Sequence, residues 1–285
     1  MNQLNIKHFV LTHFNLKLSR NGKKTYTVDK NNQETQNTEW MNERIRLFET
    51  FCYPSLKSQT NLDFIWFVFL DDETPLVYKD KFEAYHKEFP NCVPIYLGPV
   101  SWEELYLDVD VVLREHLTHN NQYIITTNID NDDSFHEEMI EKIQNAVGQH
   151  KKESLYRFIY GYQYFENLNF AMKMRYPHNH FLTLVSKVTT EPIKPVTHYG
   201  HAGAHRVLPY IDIKTIPTWI EVVHGTNVNN SLRVKLKISY VPVIFKNNFA
   251  KPFHVNIGLN SLNNLHRSFI TLPIMLVKHL VKKIF

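Results

Sequence analysis

The amino-acid sequence predicts an α/β fold built on a mixed sheet that is mostly parallel in the N-terminal half and flanked by helices. Short apolar runs alternate with helical patterns through the first half, which favours parallel strands. The run FIWFVFL at residues 64–70 is apolar at every position, as expected of a strand covered on both faces. In the second half, strand-like runs follow one another with short breaks, which indicates antiparallel additions.

The first elements follow from local patterns. Residues 8–14 form a short apolar run that predicts the first strand, and residues 21–39 are polar and without pattern, as in a lid or binding loop. Apolar residues recur at helical spacing from Met41 to Cys52 and are followed by Pro54. This predicts a helix that ends near the proline.

The alternation continues to the middle of the chain, and closely spaced strands follow it. Helices are predicted at residues 81–89, 102–117 and 136–147, and strands at residues 64–70, 93–97, 123–128, 155–162, 170–176, 180–187 and 218–225. Residues 199–205 (YGHAGAH) combine glycine with histidine and predict a loop. Because no repeat or interdomain linker is evident, we expect one domain over residues 1–267.

The C-terminal residues 268–285 predict a separate element. Apolar residues recur there at helical spacing, and Lys278, Lys282 and Lys283 fall largely on the other side, which predicts an amphipathic basic helix. It is too short to span a bilayer. Such a helix either docks on the domain or lies in the interface of the inner membrane, with its lysines drawn to anionic lipid.

Composition narrows the functional classes. The net charge is only +4 and there is no zinc-finger or aromatic-basic signature, so nucleic-acid binding is not expected. Cys52 and Cys92 form no metal-type pair and indicate buried thiols in a reducing compartment. The N-terminus has no signal-peptide pattern and no run of about 18 apolar residues occurs. We therefore expect a cytoplasmic protein with at most peripheral contact with the inner membrane.

Two acidic clusters follow buried strands. Asp71 and Asp72 come directly after the strand at 64–70, and three aspartates follow the strand at 123–128 within the segment NIDNDD. Ligands of open α/β sheets bind outside the carboxyl ends of the strands. Strand-end aspartates also start turns or cap helices, and we expect Asp133 or Ser134 to cap the helix at 136–147.

The spacing Asp-x-Asp occurs twice, and its context separates the two pairs. Asp108 and Asp110 lie within a helical pattern and are expected to face solvent. Asp130 and Asp132 lie at a strand end, where a divalent cation could bridge them to a diphosphate. Mg²⁺ and Mn²⁺ prefer carboxylate, water and phosphate oxygen. The second pair therefore predicts a metal site.

Four segments carry a resemblance to a known family: WMNERIRLFETFCYPSLKSQT, FIWFVFLDDETP, IDNDD and VVHGTNV. Together they resemble the bacterial rhamnosyltransferase group related to family 2 inverting glycosyltransferases, over roughly residues 8–230. The resemblance implies a GT-A fold, a nucleotide-diphosphate sugar donor and usually a divalent metal, Mn²⁺ or Mg²⁺. No clear Glu-Asp base motif occurs between residues 180 and 230, which leaves the catalytic base open.

Site roles can be assigned on this basis. Strand-end groups recognise a nucleoside and an arginine fork suits a diphosphate, so donor binding is expected from Thr12, Arg44, Asp71, Asp72 and Asn131. Metal binding is expected from Asp130, Asp132 and His224, the last at the end of an apolar strand. The base is expected to be His201 or His205, with Asp212 and Glu221 as further candidates.

The leading hypothesis is a metal-dependent glycosyltransferase that moves rhamnose or another hexose onto a hydroxyl of a bacterial surface glycan or lipid-linked acceptor. A nucleotidyltransferase also needs paired carboxylates and metal, but such enzymes usually show a glycine-rich basic loop near the first strand. Residues 8–26 contain one glycine, which ranks that alternative lower. A non-catalytic sugar-binding protein on the same fold is the remaining alternative.

Overall fold

The computed structural model describes residues 5–24, 35–225, 239–243 and 248–257, together with residues 259, 265–266, 269–270, 273–274 and 277. Strands are numbered in chain order: β1 (Ile6–His13), β2 (Leu18–Arg20), β3 (Lys23–Lys24), β4 (Ile65–Asp71), β5 (Cys92–Leu97), β6 (Val100–Ser101), β7 (Tyr123–Asn128), β8 (Ser134–Phe135), β9 (Leu155–Phe158), β10 (Tyr160–Phe165), β11 (Phe170–Arg175), β12 (Leu182–Lys187), β13 (Tyr210–Ile213), β14 (Trp219–Val223) and β15 (Ser239–Pro242). The α-helices are α1 (Thr38–Leu47), α2 (Tyr53–Lys57), α3 (Leu76–Glu88), α4 (Leu105–Glu115), α5 (Met139–His150) and α6 (Gly200–Val207).

A seven-stranded sheet forms the centre, with the spatial order β13-β9-β12-β7-β1-β4-β5. The strands β7, β1, β4 and β5 pair in parallel, and β12 runs antiparallel to β7 and β9. Apolar side chains on both faces of β1 and β4 are fully buried, because helices cover the two sides of the sheet. The predicted mixed α/β fold, mostly parallel in its N-terminal half, is confirmed.

A five-stranded sheet packs beside the first, in the order β15-β11-β10-β14-β8, and a small sheet has the order β3-β2-β6. The five-stranded sheet joins the central core through the ring of Trp219, which stacks on Phe181 with centroids 4.8 Å apart. The predicted antiparallel pairs occur at β10–β11 and β12–β9. Two pairs of the second half, β10–β14 and β9–β13, are parallel instead.

Several local predictions need correction. The helical segment that contains Met41 continues through a π-helical segment (Phe48–Cys52) and past Pro54 to Lys57, because the proline lies in the first turn of α2, where it is tolerated. Residues 199–205 are largely helical and not a loop, since α6 docks on the core through buried Ala204. Asp110 does not face solvent, because it accepts hydrogen bonds from Arg114 and the backbone of Ile193.

The prediction of a helix cap at Asp133 or Ser134 is also wrong. Helix α5 begins at Met139, and Ser134 belongs to the short strand β8. The hydroxyl of Ser134 donates to the backbone carbonyl of Phe51. The side chain of Asp133 therefore does not cap α5 and can form hydrogen bonds with other residues. The predicted buried thiols of Cys52 and Cys92 are confirmed as buried.

Two predictions fall largely outside the described residues. Most of the predicted loop at 21–39 is not described, and its described ends are β2, β3 and the start of α1. Of the predicted helix at 268–285, the described apolar side chains are exposed, among them Phe269 at 64% and Val277 at 58%. Among the described residues, no helix combines the length and the apolar character needed to cross a membrane.

The buried histidine His8 should make the fold sensitive to acid. Its Nε2 lies 2.9 Å from Thr127 Oγ1 inside the central sheet, and burial lowers the pKa of His8 to about 3. The unfolded chain takes up this proton near pH 6.5 and the native chain does not, so stability is full above pH 6.5 and falls as pH decreases toward 3. The loss at pH 5 should be about 2 kcal/mol.

Urea unfolding at pH 8 and pH 5 measures this contribution. The variant His8→Gln should lose less free energy of unfolding between the two pH values than the wild type. The matched control His119→Gln removes an exposed histidine and should behave like the wild type. Equal pH dependence in all three proteins would show that His8 does not carry the effect.

Candidate active site

The carboxyl ends of three neighbouring parallel strands meet at one edge of the central sheet. Strand β1 ends at His13, β4 ends at Asp71 and β7 ends at Asn128, and the register of β1 with β4 and β7 brings these ends together. The second acidic cluster, residues 130–133, follows β7 at the same edge. This is the position at which open α/β sheets bind ligands.

The acidic cluster is anchored by buried side chains. Asn131 donates from Nδ2 to the backbone carbonyls of His13 and Phe14, at 3.1 Å each, which ties the cluster to the end of β1. Arg44, on α1, donates from Nη1 to Asn131 Oδ1 at 3.2 Å and to Asp132 Oδ2 at 3.0 Å. Both Arg44 and Asn131 were predicted to bind the donor, and in this structure they position the cluster.

Asp132 is held from a second side by His224, whose Nε2 lies 2.8 Å from Asp132 Oδ2. Burial opposes the charge of Asp132, but the hydrogen bond from His224 and the charge of Arg44 outweigh it and lower the pKa of Asp132 to about 2. Asp132 is therefore a buried carboxylate with a guanidinium and an imidazole at the same oxygen. The predicted metal ligands Asp132 and His224 contact one another, and Arg44 forms an ion pair with the same oxygen of Asp132. Metal binding by Asp132 and His224 stays a prediction.

The structure brings together a different triad beside it. Ligand atoms of Asp130, Asp133 and His180 all lie within 4.8 Å of one another. His180 Nε2 lies 2.6 Å from Asp133 Oδ2 and 3.8 Å from Asp130 Oδ2. The other oxygen of Asp133, Oδ1, accepts a hydrogen bond from the backbone N–H of Val222 at 2.8 Å. Asp133 is buried, whereas Asp130 is exposed.

The charge on His180 explains how clustered carboxylates are tolerated. Burial opposes the imidazolium, but the carboxylates of Asp130 and Asp133 outweigh burial and raise the pKa of His180 to about 10. A positive charge thus sits among acidic side chains that would otherwise repel one another. With Arg44 on Asp132 and His180 on Asp133, each buried carboxylate of the cluster has a cationic partner.

The triad of Asp130, Asp133 and His180 fits a divalent cation. Two carboxylate oxygens and one imidazole nitrogen make a donor set that suits Mn²⁺, and metal binding would release the proton of His180, because a ligating imidazole is neutral. The mutual spacing of the ligand atoms is short enough for one ion to reach all three. Because Asp130 is exposed, water or substrate oxygens could complete the coordination, as divalent cations at phosphate sites require.

A cavity of about 230 Å³ lies at this edge of the sheet. Its polar lining consists of His13, Asn128, Asp130, His180 and Thr197, and its apolar lining includes Trp102, Leu182 and Val196. The ring of His13 meets the edge of Trp102, with centroids 6.2 Å apart. Within the described structure, His13 Nε2 is buried without a hydrogen-bond partner. Burial lowers the pKa of His13 to about 4 against the opposing charge of Asp130, so a neutral imidazole faces the cavity.

The first acidic cluster forms a separate polar group at the end of β4. Asp71 is 1% exposed, and its Oδ1 lies 2.9 Å from Lys17 Nζ and accepts the backbone N–H of Glu73. Among the described residues, Asp71 Oδ2 is buried without a hydrogen-bond partner. An orphaned acceptor of this kind suits a ligand N–H or O–H group. Asp72 is exposed and lies beside Gly98.

Thr12, His205 and Asp212 do not line the cavity. Thr12 is fully buried, and its hydroxyl donates to the carbonyl of Ile129 and accepts from Trp66 Nε1, so it has a structural role. His205 lies on α6 with Nδ1 3.2 Å from Arg157 Nη1. Asp212 forms an ion pair with Arg157. His201 lies in the first turn of α6, next to Gly200, which lines the cavity.

Sequence reasoning missed three residues of the site. His13 directly follows Thr12 at the end of the first strand, and this position could have marked it. Asp133 was assigned to a helix cap because its neighbours in sequence suggested one. His180 had no local signal, since it lies before a strand and its partner Asp133 is 47 positions away in the chain.

Comparison with family models gives a match over most of the chain. The chain matches the family model described as "Putative rhamnosyl transferase" over residues 7–236. A comparison with curated proteins found no match.

Among solved structures, S. aureus TarS 1-349 aligns with a TM-score of 0.43 and 10% identity over 76% of this chain, and the chain spans only 60% of that protein. A "putative nucleotide-diphospho-sugar transferase" from Desulfovibrio desulfuricans G20 aligns with a TM-score of 0.31 and 7% identity, covering 74% of this chain and 81% of that one.

Proposed function

The chain belongs to the rhamnosyl transferase family, whose model matches it over residues 7–236, and we propose that it is a metal-dependent enzyme that transfers rhamnose or another hexose from a nucleotide-diphosphate donor. The acceptor is a hydroxyl of a bacterial surface glycan or of a lipid-linked glycan. One observation carries the proposal most directly. Two members of the triad, Asp130 and His180, line a cavity at the carboxyl edge of the parallel strands.

In this proposal, side chains at this edge of the sheet bind the donor. The neutral imidazole of His13 offers one hydrogen bond to the part of the donor that enters the cavity. The orphaned oxygen of Asp71 offers an acceptor to the nucleoside at the end of β4. Arg44, Asn131 and His224 contribute indirectly, because they fix the acidic cluster against β1 and β14. Such rigid support keeps the reacting groups in place.

A divalent cation held by Asp130, Asp133 and His180 would neutralise negative charge on the departing diphosphate. The acceptor hydroxyl attacks the anomeric carbon, a new carbon–oxygen bond forms, and the bond to the diphosphate breaks. We propose inversion at the anomeric carbon, as the resemblance to family 2 enzymes implies. Contact of residues 268–285 with the inner membrane stays a prediction.

A thermal-shift panel tests donor binding. We expect UDP, dTDP or a corresponding nucleotide sugar to raise the melting temperature, and more so with Mn²⁺, because ligands of the native state stabilise it by mass action. A ligand at 100 times its Kd should add about 2.7 kcal/mol. Asp71→Ala should weaken this shift even without metal, while Asp108→Asn should leave it unchanged. If no nucleotide shifts the wild type with or without Mn²⁺, the proposed function fails.

A further inference from the structure

A second group of buried polar side chains lies on the five-stranded sheet, on the face that packs against the central core. Gln163 on β10 and Glu221 on β14 are direct neighbours in the parallel register of these strands. Both are only 7% exposed. Gln163 Nε2 donates to Glu221 Oε2 at 3.1 Å. The pair has no part in the donor and metal groups described above.

The pair offers an unused hydrogen-bonding position. Within the described residues, Gln163 Oε1 is buried and has no partner. Leaving a buried polar atom unpaired costs about 1–3 kcal/mol, so such atoms in native proteins call for an explanation. A ligand hydroxyl that donates to this oxygen would remove the cost. The position of the pair in the fold indicates which ligand would donate this hydrogen bond.

The pair lies beside the triad. Two residues before Glu221 on the same face of β14, Trp219 stacks on Phe181, which directly follows His180 in the chain. Val222, the residue after Glu221, donates its backbone N–H to Asp133 Oδ1 at 2.8 Å, so this part of β14 lies against the triad. The charge of Glu221 contributes to the raised pKa of His180. Burial raises the pKa of Glu221, and the positive charge of His180 opposes this increase. Glu221 is therefore a buried carboxyl group whose proton affinity is increased, as general bases require.

We propose that Glu221 is the general base of the transfer reaction and that Gln163 orients the acceptor hydroxyl against it. This rests on the proposed function. The acceptor oxygen attacks the anomeric carbon, the bond between that carbon and the diphosphate oxygen breaks, and the acceptor proton passes to the Glu221 carboxylate. The nucleoside diphosphate leaves with the bonding electrons, and Glu221 returns the proton to solvent. The acceptor is a glycan hydroxyl.

Other candidate bases are engaged differently. Asp212 Oδ1 accepts from Arg157 Nε at 2.7 Å, so this carboxylate is engaged in an ion pair with a guanidinium. The Nδ1 of His205 lies 3.2 Å from Nη1 of the same guanidinium. Glu221 has the amide of Gln163 as its hydrogen-bond partner, and an amide is neutral.

The test compares Glu221→Gln with the wild type and with Glu166→Gln. Glu166 is a matched control, because it pairs with Arg46 on the surface, away from the triad. Three quantities are measured in each protein: the melting temperature, its shift with the nucleoside diphosphate and Mn²⁺, and the rate of transfer at saturating donor. Glu221→Gln should be at least as stable as the wild type, because it removes a buried carboxyl group.

We expect Glu221→Gln to lower the transfer rate by about 10²–10⁴-fold, the usual contribution of a general base, with an unchanged nucleotide shift. Glu221→Asp should recover part of the rate, since it restores a carboxylate. A transfer rate within a few-fold of the wild type in Glu221→Gln would overturn the assignment, and so would joint loss of transfer and nucleotide binding.

If Glu221→Gln fails to fold, Gln163→Leu decides the question, because it leaves Glu221 in place. It should raise the KM for the acceptor without changing the nucleotide shift, and an unchanged KM would contradict the proposal. Absence of transfer in the wild type would instead refute the proposed function.

Discussion

Replacing Asp130 by asparagine is expected to lower the rate of sugar transfer by about 10²–10³-fold while the protein remains folded. Asp130 is the exposed member of the triad, so its loss removes a candidate metal ligand at the cavity without opening the core. The substitution also removes a negative charge opposite His180, and this should disturb the leaving-group end of the site. Stability should change little, because an exposed carboxylate contributes little to it.

The sequence supplies a matched control for this substitution. Asp108 shares the Asp-x-Asp spacing with Asp130 but lies exposed on α4, and Asp108→Asn should transfer sugar at the wild-type rate. Asp110 is unsuitable as a control, since it holds Arg114 and the backbone of Ile193. Equal activities in Asp108→Asn and Asp130→Asn, whether both high or both low, would remove Asp130 from the site.

Replacing Gly161 by alanine is expected to destabilise the fold by about 3 kcal/mol or more, at the upper end of overpacking effects. A Cβ atom at this position would lie 2.0 Å from the ring of Trp219. That ring cannot move aside easily, because its Nε1 donates to the carbonyl of Phe158 at 2.7 Å and its face stacks on Phe181. For a chain of this size, the melting temperature should fall by roughly 6–12 °C.

Gly148 provides the opposite control. It lies exposed on α5, and a Cβ atom there would meet nothing within 4 Å. Gly148→Ala should therefore raise the free energy of unfolding by a few tenths to about 1 kcal/mol, because alanine restricts the unfolded chain more than glycine does. Thermal unfolding of the two variants should show shifts of opposite sign. A small shift in Gly161→Ala would mean that Trp219 can repack.

The strands were predictable where burial on both faces dominates the sequence. The structure places β7 at Tyr123–Asn128, as the apolar run predicts, and β4 is shifted from its prediction by one residue. The positions of the strand ends also predicted where polar side chains of the site lie. Asp71 and Asp130 could be located in this way, because parallel strands deliver their carboxyl ends to one edge.

The partners of these groups could not be predicted, because they are determined by tertiary contacts between residues that are far apart in the sequence. Asp133 has the sequence context of a helix cap, yet its oxygens contact His180 and the backbone of Val222, which is 89 positions away. Asp132 has metal-ligand spacing, yet Arg44 and His224 occupy the same oxygen. The segment around Gly203 has loop composition but becomes helical, because packing of Ala204 on the core outweighs the low helix propensity of glycine.

The most direct measurement of the central claim identifies the nucleotide released from a donor. Purified protein is incubated with Mn²⁺, an acceptor glycan and a panel of nucleotide-diphosphate sugars that includes dTDP-rhamnose, and the products are identified by mass spectrometry. We predict that the wild type and Asp108→Asn release a nucleoside diphosphate and extend the acceptor, while Asp130→Asn does so far more slowly. Release of a nucleoside monophosphate, as in nucleotidyl transfer, or no release from any donor, would contradict the assignment of a glycosyltransferase.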